Sequence, residues 1–395
     1  MGTLIGADNA LGIWTVILAF VFFAMYAERH YKWAKAVGAC LICLFGGMVL
    51  SSIGLIPTDS PAYDPVWSYV TPIAIPLILF NADLRRIGRE SGKLLFIFLF
   101  ACCGTMAGAV LAAMIFHNFV PELHKVAAIF TGSQTGGSMN VVVMAEVFSI
   151  SGTMFNAVYI ADILTFTFTL FTLTMLPSIP VLRKIYRTRY PLASLDVKEY
   201  KEETEPTESM NVFNLAKAIM ISVAIVFVSI IIADYVSATG APEIIKQLFG
   251  QKYLVLTLIT VILATFFPKY LGKIKGAQDL GIFLMFIFFV VISVEANLRE
   301  VISAGPFLIL YSLVVFFGIV VFSLVLGKIF KYSIEEISIG ANAALGGPTT
   351  AAACAGAKGW VDLVTPGVLC GTLGYVLGNY FGVFIGNLVL KMFGI

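Results

Sequence analysis

Charge is what this sequence has least of. Asp, Glu, Lys and Arg make up 12% of its 395 residues, and histidine occurs three times. So thin a supply of charge excludes a water-soluble globule. Hydrophobic residues fill the space at 59%, with a mean hydropathy of +0.95, and they are gathered into long apolar runs. The class that follows is an all-α polytopic membrane protein. Cysteine is also scarce. Cys40, Cys43, Cys102, Cys103, Cys354 and Cys370 lie in or beside apolar runs without metal-ligand spacing to histidine, so they read as small buried hydrophobes. No phosphate-loop or nucleic-acid pattern occurs, and no Ser/His, His/Glu or paired-aspartate arrangement falls at mid-membrane depth. Neither an enzyme nor a nucleic-acid binder is expected, and no cofactor beyond a sodium ion. The first apolar run is followed, not preceded, by its basic residues, unlike a cleaved signal.

Ten spanning helices are expected at about 11–27, 36–56, 66–82, 94–116, 153–181, 212–235, 253–267, 279–295, 306–327 and 362–390. Two further apolar stretches, about 124–149 and 334–358, are interrupted by polar, glycine-rich sequence: TGSQTGGSMN (Thr131 to Asn140) and ANAALGGPTT (Ala341 to Thr350). Lys and Arg decide whether these stretches cross or return. With both as re-entrant hairpins, 20 of the 25 basic residues fall on the inner side, as the positive-inside rule requires. A full crossing by the first would put the basic loop from Arg183 onward outside. Five crossings per half then make the second half (212–395) an inverted repeat of the first (1–181), joined by a cytoplasmic linker (182–211) rich in both signs of charge. Both termini fall outside. FNADLRRI (Phe80 to Ile87) and VEANLREV (Val294 to Val301) are traces of the repeat at an offset of 214. The interrupted stretches align at 210, placing Asp162 opposite Thr372.

Lipid cannot satisfy a broken backbone, so paired breaks in matching halves mark a transporter's binding site. Each ascending half-helix, beginning near Ser138 in the first hairpin and at Pro348 in the second, aims free N–H groups and a partial positive charge at the midplane. Candidate substrate-binding residues are Ser133, Gln134, Thr135, Gly136, Gly137, Ser138 and Asn140 in the first tip. Asn342, Gly346, Gly347, Thr349 and Thr350 are those in the second. Asp162 lies nine residues into the fifth spanning helix, ~13 Å deep at 1.5 Å per residue. A carboxylate there is costly, which suits a coupling-ion ligand or proton acceptor, or else a hydrogen-bond partner fastening that helix to the hairpin. The bland reading of the diglycines is close helix packing, which does not require Gln, Asn, Ser and Thr beside them. Glu146, returning toward the outer surface, reads equally as a solvated carboxylate.

The stretch IPTDSPAYDPVWSYVTPIAIPLILFNADLRRI (Ile56 to Ile87), with FTGSQTGGSMNVVVMAEVF and ALGGPTTAAACAGAKGW, resembles the YjcL-like membrane family, a domain of unknown function (DUF819), over nearly the whole chain. More distantly, the diglycine tips resemble those of the glutamate:sodium symporters and 2-hydroxycarboxylate transporters, a likeness carried by Gly136, Gly137, Gly346 and Gly347. That likeness implies an elevator mechanism, in which a core bearing both hairpins slides against a scaffold that forms a homodimer. No basic residue lies at tip depth, which argues against a citrate-like substrate. The expected function is secondary-active transport of a small polar or anionic metabolite (a carboxylate, amino acid or small peptide) across the plasma (inner) membrane, coupled to sodium or protons. A sodium/proton antiporter and a passive channel are the competing readings. The partners expected are that small-molecule substrate, the lipid bilayer and a second copy of the chain.

Overall fold

A computed structural model describes residues 3–137, 139–190, 211–240, 242, 245–246, 249–294 and 298–394. The first half runs through α1 (Ala10–His30), α2 (Lys32–Val37), α3 (Ala39–Ser52), α4 (Thr71–Leu79), α5 (Leu84–Glu90), α6 (Leu94–Phe116), α7 (Leu123–Gly136), α8 (Met139–Phe148), α9 (Gly152–Met175) and α10 (Pro180–Ile185). The second contains α11 (Val212–Ala238), α12 (Lys252–Phe266), α13 (Pro268–Leu271), α14 (Ala277–Val294), α15 (Leu298–Ile329), α16 (Ile334–Ala357) and α17 (Val361–Phe393). Among the described residues, 8 helical runs are long and apolar enough to cross a membrane. They are α1, the run Pro61–Glu90 containing α4 and α5, α6, Gly152–Ser178, α11, α14, Gly305–Ile329 within α15, and α17.

Two expected spans come out short. The stretch 36–56 yields only α3, with 14 residues, because Gly38 takes φ 85° and turns the chain between α2 and α3. The stretch 253–267 yields α12, with 15 residues, which stops where Pro268 follows Phe267. At 1.5 Å per residue either helix covers roughly 22 Å, less than a ~30 Å hydrocarbon core. The third span is also interrupted. A π-turn over Val66–Val70 leads into α4, which carries Pro72 and Pro76, ends at Leu79, and is followed by α5 under an Asp83 cap. Conversely, α15 begins eight residues before its expected start at 306, with Pro306 inside the helix.

Glycines set how closely the central helices approach. Between apolar helices in lipid, association depends on such close packing, since lipid tails are as apolar as leucine. Helices α6 and α15 cross where Gly104 meets Gly318, and a Cβ on either would collide with the other's carbonyl oxygen. The contact is reciprocal, between residues 214 apart in the chain. On α17, glycines recur at 371, 374, 378, 382 and 386, a three-to-four-residue spacing that keeps them on one helix face. Along that face α17 receives, in turn, Pro348, Gly136, Asn140, Met144 and Phe148 of the two interrupted stretches. Large apolar side chains such as Leu11 and Phe22 of α1, and Val212, Phe213 and Phe227 of α11, point outward.

Candidate functional site

Both diglycines break their helices in the same way. Gly137 closes α7 at φ 85°, ψ −177°, and Gly347 interrupts α16 at φ 76°, ψ −163°. This corner of backbone space is open essentially to glycine alone, so each break depends on the residue that makes it. After Gly347 the helix resumes with Pro348, whose missing N–H costs nothing at a first position. The first break resumes with Met139; Ser138, the expected cap, lies outside the described residues.

Each broken helix folds back so that its two ends share one cluster. At the base of the first, Lys125 near the start of α7 donates to the Ser149 carbonyl just beyond α8 at 3.0 Å and pairs with Glu122 at 2.8 Å. Glu122 in turn accepts from the Ser151 hydroxyl (2.5 Å) and backbone N–H (3.3 Å), fastening the start of α9. Burial alone would raise the Glu122 pKa, but the hydrogen bonds from Lys125 and Ser151 outweigh it and hold the carboxyl below its usual range. At the base of the second, the Arg189 guanidinium lies 3.7 Å from Glu336, at the start of α16, and 2.7 Å from Asp362, just past its end. A capping box of Ser333 and Glu336 starts α16, and Tyr190 donates to Asp362 (2.5 Å) while stacking on Trp360.

The opposite ends of the two breaks meet. A Cβ on Gly137 would come to 3.6 Å from Gly346, and one on Gly347 to 3.4 Å from the Gly136 carbonyl and from the Tyr375 hydroxyl. This contact is again reciprocal, now at the offset of 210. The structure therefore brings Gly136, Gly137, Gly346 and Gly347 together, with Ser133, Gln134, Thr135 and Asn140 buried just behind the first break. The tips are closed on one another. A cavity beside them, lined by Met139, Asn140, Tyr375 and Asn379 and by apolar residues of α4 and α14, measures about 10 Å³. That is room for one water, not a metabolite.

The first tip is densely wired. The Ser133 hydroxyl donates to the Asp162 carboxylate on α9. The Gln134 amide donates to the Ser312 hydroxyl of α15 at 2.8 Å, and Ser312 shares a 2.7 Å bond with Thr165, one turn beyond Asp162. Thr105 of α6 donates to the Gln134 carbonyl at 3.0 Å. Asn140 reaches back to the Gly132 carbonyl (3.1 Å) and across to that of Gly374 on α17 (3.0 Å). Thr105, Thr165, Ser312 and Tyr375 were not singled out from sequence. Thr165 had a signal, since it lies three residues past Asp162 on the same face; Ser312 had none, because only the packing of α15 against α7 and α9 brings it near.

The second tip is sparsely wired. Among the described residues Thr350 donates only to the Gly347 carbonyl, at 3.1 Å, and Thr349 is exposed. Asn342 is fully buried, yet neither atom of its amide has a hydrogen-bond partner among the described residues. The Thr135 hydroxyl and the side-chain amide oxygen (Oε1) of Gln134 share that condition. Buried polar groups are nearly always paired, and these three lie within about two turns of the two backbone breaks. No cluster of three His, Cys, Asp or Glu side chains exists among the described residues. For a hard cation the donors at hand are one carboxylate, Asp162, with hydroxyl and carbonyl oxygens around it.

These features define an integral membrane protein of α-helices in which two broken helices meet at their tips. The chain belongs to the family described as "Protein of unknown function (DUF819)", which matches residues 13–392. It is also similar to "Uncharacterized membrane protein YjcL" of Bacillus subtilis (strain 168), with 36% identity over 394 residues covering 98% of both chains.

Proposed function

We propose that this protein is a secondary-active transporter of a small polar or anionic metabolite, coupled to sodium or protons, and not an enzyme. The observation that carries the reading is the meeting of Gly137 and Gly347 amid buried Gln134, Thr135 and Asn342 atoms that have no partner among the described residues, with Asp162 bonded to the same tip. The folding back of each broken helix, by Lys125 with Ser149 and by Arg189 with Glu336 and Asp362, supports re-entrant hairpins. Contacts between the repeat-related glycines 104 and 318, and crosswise between 136–137 and 346–347, support an inverted repeat, because a two-fold-like axis brings equivalent positions together.

In this reading, substrate enters when the tips part, and its anionic or polar group meets the half-helix N-termini together with Gln134, Thr135, Ser138, Asn140, Asn342, Thr349 and Thr350. A single carboxylate suits a monovalent ion, so Asp162 with the Ser133 hydroxyl forms the coupling site. The hairpins, with α4, α6, α9, α14, α15 and α17, form a core that moves against a scaffold of α1, α3, α11 and α12, paired with that of a second copy in the plasma membrane. Both termini lie outside. Cysteines introduced at Ser149 and Lys331 should label with an impermeant reagent from outside and inside respectively; labelling from one face overturns the inverted topology.

The functional test is a thermal-shift screen of small carboxylates, amino acids and peptides with and without sodium, followed by uptake of the hit into proteoliposomes. Asp162→Asn should fold, lose ion dependence and lose concentrative uptake. Unchanged ion dependence removes Asp162 from the coupling site. Large, non-saturating currents through the wild type would replace the transporter with a channel.

A further inference from the structure

Away from the tips, the segment leading out of α9 makes a second polar site. Residues 180–190 lie along the start of α16 and the end of α15: the Ile334 N–H donates to the Arg187 carbonyl at 2.9 Å, and the Tyr186 hydroxyl donates to the Leu324 carbonyl at 3.1 Å. Between them lies a cavity of about 290 Å³, lined by Ile185, Tyr186, Arg187, Lys328, Lys331 and Tyr332. That is close to the lower bound of ~300 Å³ for small-molecule sites.

Its charge is of one sign. Neither Arg187, Lys328 nor Lys331 has a carboxylate within ion-pair distance among the described residues. Lys328 is held in place, donating to the Ile185 carbonyl with its ammonium 5.5 Å from the centre of the Tyr186 ring. The two acids at the adjoining start of α16 are already engaged, Glu336 by the Ser333 cap and Arg189, and Glu335 by the Arg183 guanidinium and the Arg189 N–H. Three cations gathered without a counter-charge repel one another unless an anion joins them.

The surroundings say which anion. The cavity sits at the end of α15, where the apolar run Gly305–Ile329 stops. Ile329, Phe330, Ile185 and Val181 beside it are exposed and apolar. A water-soluble phosphate has no use for that flank, whereas a lipid places its headgroup among the cations and its chains along the apolar side chains. We propose that this cavity binds the phosphodiester headgroup of an anionic phospholipid at the membrane surface. The bound lipid would brace residues 180–190 against the start of the second broken helix.

The test uses the full-length protein in detergent. Its melting temperature is followed against dioctanoyl phosphatidylglycerol, dioctanoyl phosphatidylcholine of equal chain length, and glycerol 1-phosphate. Saturable stabilisation by the phosphatidylglycerol alone is expected. Arg187→Gln and Lys331→Gln, whose side chains make no hydrogen bond or ion pair among the described residues, should each weaken apparent affinity about fivefold. They should keep the lipid-free melting temperature and elution volume, and the double variant should lose more than either. Equal stabilisation by phosphatidylcholine overturns the proposal in favour of chain binding alone. Full stabilisation by glycerol 1-phosphate overturns it in favour of a soluble phosphate ligand. Unchanged affinity in the well-folded double variant removes the cavity from the binding site.

Discussion

The two broken helices have one backbone and two different wirings. Gly137 and Gly347 adopt nearly the same φ and ψ, and each helix has both ends held at a polar clasp. Behind the first break, Ser133, Gln134 and Asn140 donate to α9, α15 and α17 in turn. Behind the second, Thr350 bonds only within its own helix and Asn342 bonds nothing among the described residues. Thus the first break is a fixed floor, braced by three neighbouring helices, while the second is held by packing and by its base. Backbone geometry marks a site; side-chain wiring decides which wall of it can yield.

The sharpest way to break that comparison is to add one methyl group to each tip. On Gly136 it meets the Gly374 backbone of α17, which cannot rotate away. On Gly346 it meets the Thr350 side chain. Gly136→Ala should therefore cost about 3 kcal/mol and Gly346→Ala about 1 kcal/mol, within the usual range for overpacking. Thermal denaturation of the two purified variants measures the difference. Equal losses would mean that the second tip is seated as firmly as the first.

A second pair of variants separates wiring from reception. Asn140→Leu removes two hydrogen bonds to backbone carbonyls and should destabilise by about 2 kcal/mol. Asn342→Leu removes a buried amide that has no partner among the described residues, and should stabilise the ligand-free protein by about 1 kcal/mol while abolishing substrate-dependent stabilisation. A loss of stability in Asn342→Leu would show that its amide is paired in the resting protein and is not held for a ligand.

Much of this arrangement was legible in the sequence, for identifiable reasons. The breaks announced themselves because Gly-Gly and Pro348 in an apolar run have few other uses, and Asp162 because a charge so deep needs a partner. Its bond to Ser133 is one of the two roles expected of it. The boundaries of α3 and α12 were less readable, because hydropathy continues through Gly38 and beyond Phe266 while the backbone does not. Ser312 and the glycine face of α17 belong to helix crossings, and a crossing is a property of two helices that neither sequence carries alone. The unequal wiring was hidden for a related reason. Asn140 and Asn342 are the same residue type at similar distances from their diglycines, but Asn140 finds carbonyls at Gly132 and on the glycine face of α17, whereas Asn342 finds no partner among the described residues.

The smallest expected effect concerns the two clasps, which differ in chemistry as the tips differ in wiring. Glu122 is partly buried, and its folded-state pKa is depressed below the ordinary carboxylate value near 4.3. A depressed carboxylate contributes stability that is fully present above the unfolded pKa and is lost as pH falls through the lower folded one. Melting temperature should therefore fall as the medium is acidified below about pH 4, and Glu122→Gln should flatten that limb by removing the titrating group. The Arg189 clasp is half exposed, so Arg189→Gln should cost less than about 1 kcal/mol, and that cost should shrink further in high salt. Melting curves from pH 3 to 6 on both variants, at low and high salt, discriminate between them. If Glu122→Gln keeps the full acid limb, other carboxylates carry it and the two bases are held alike. If the limb flattens while Arg189→Gln responds to salt, the first hairpin is tied at its base by a shielded clasp and the second by a screened one, the same inequality already present at the tips.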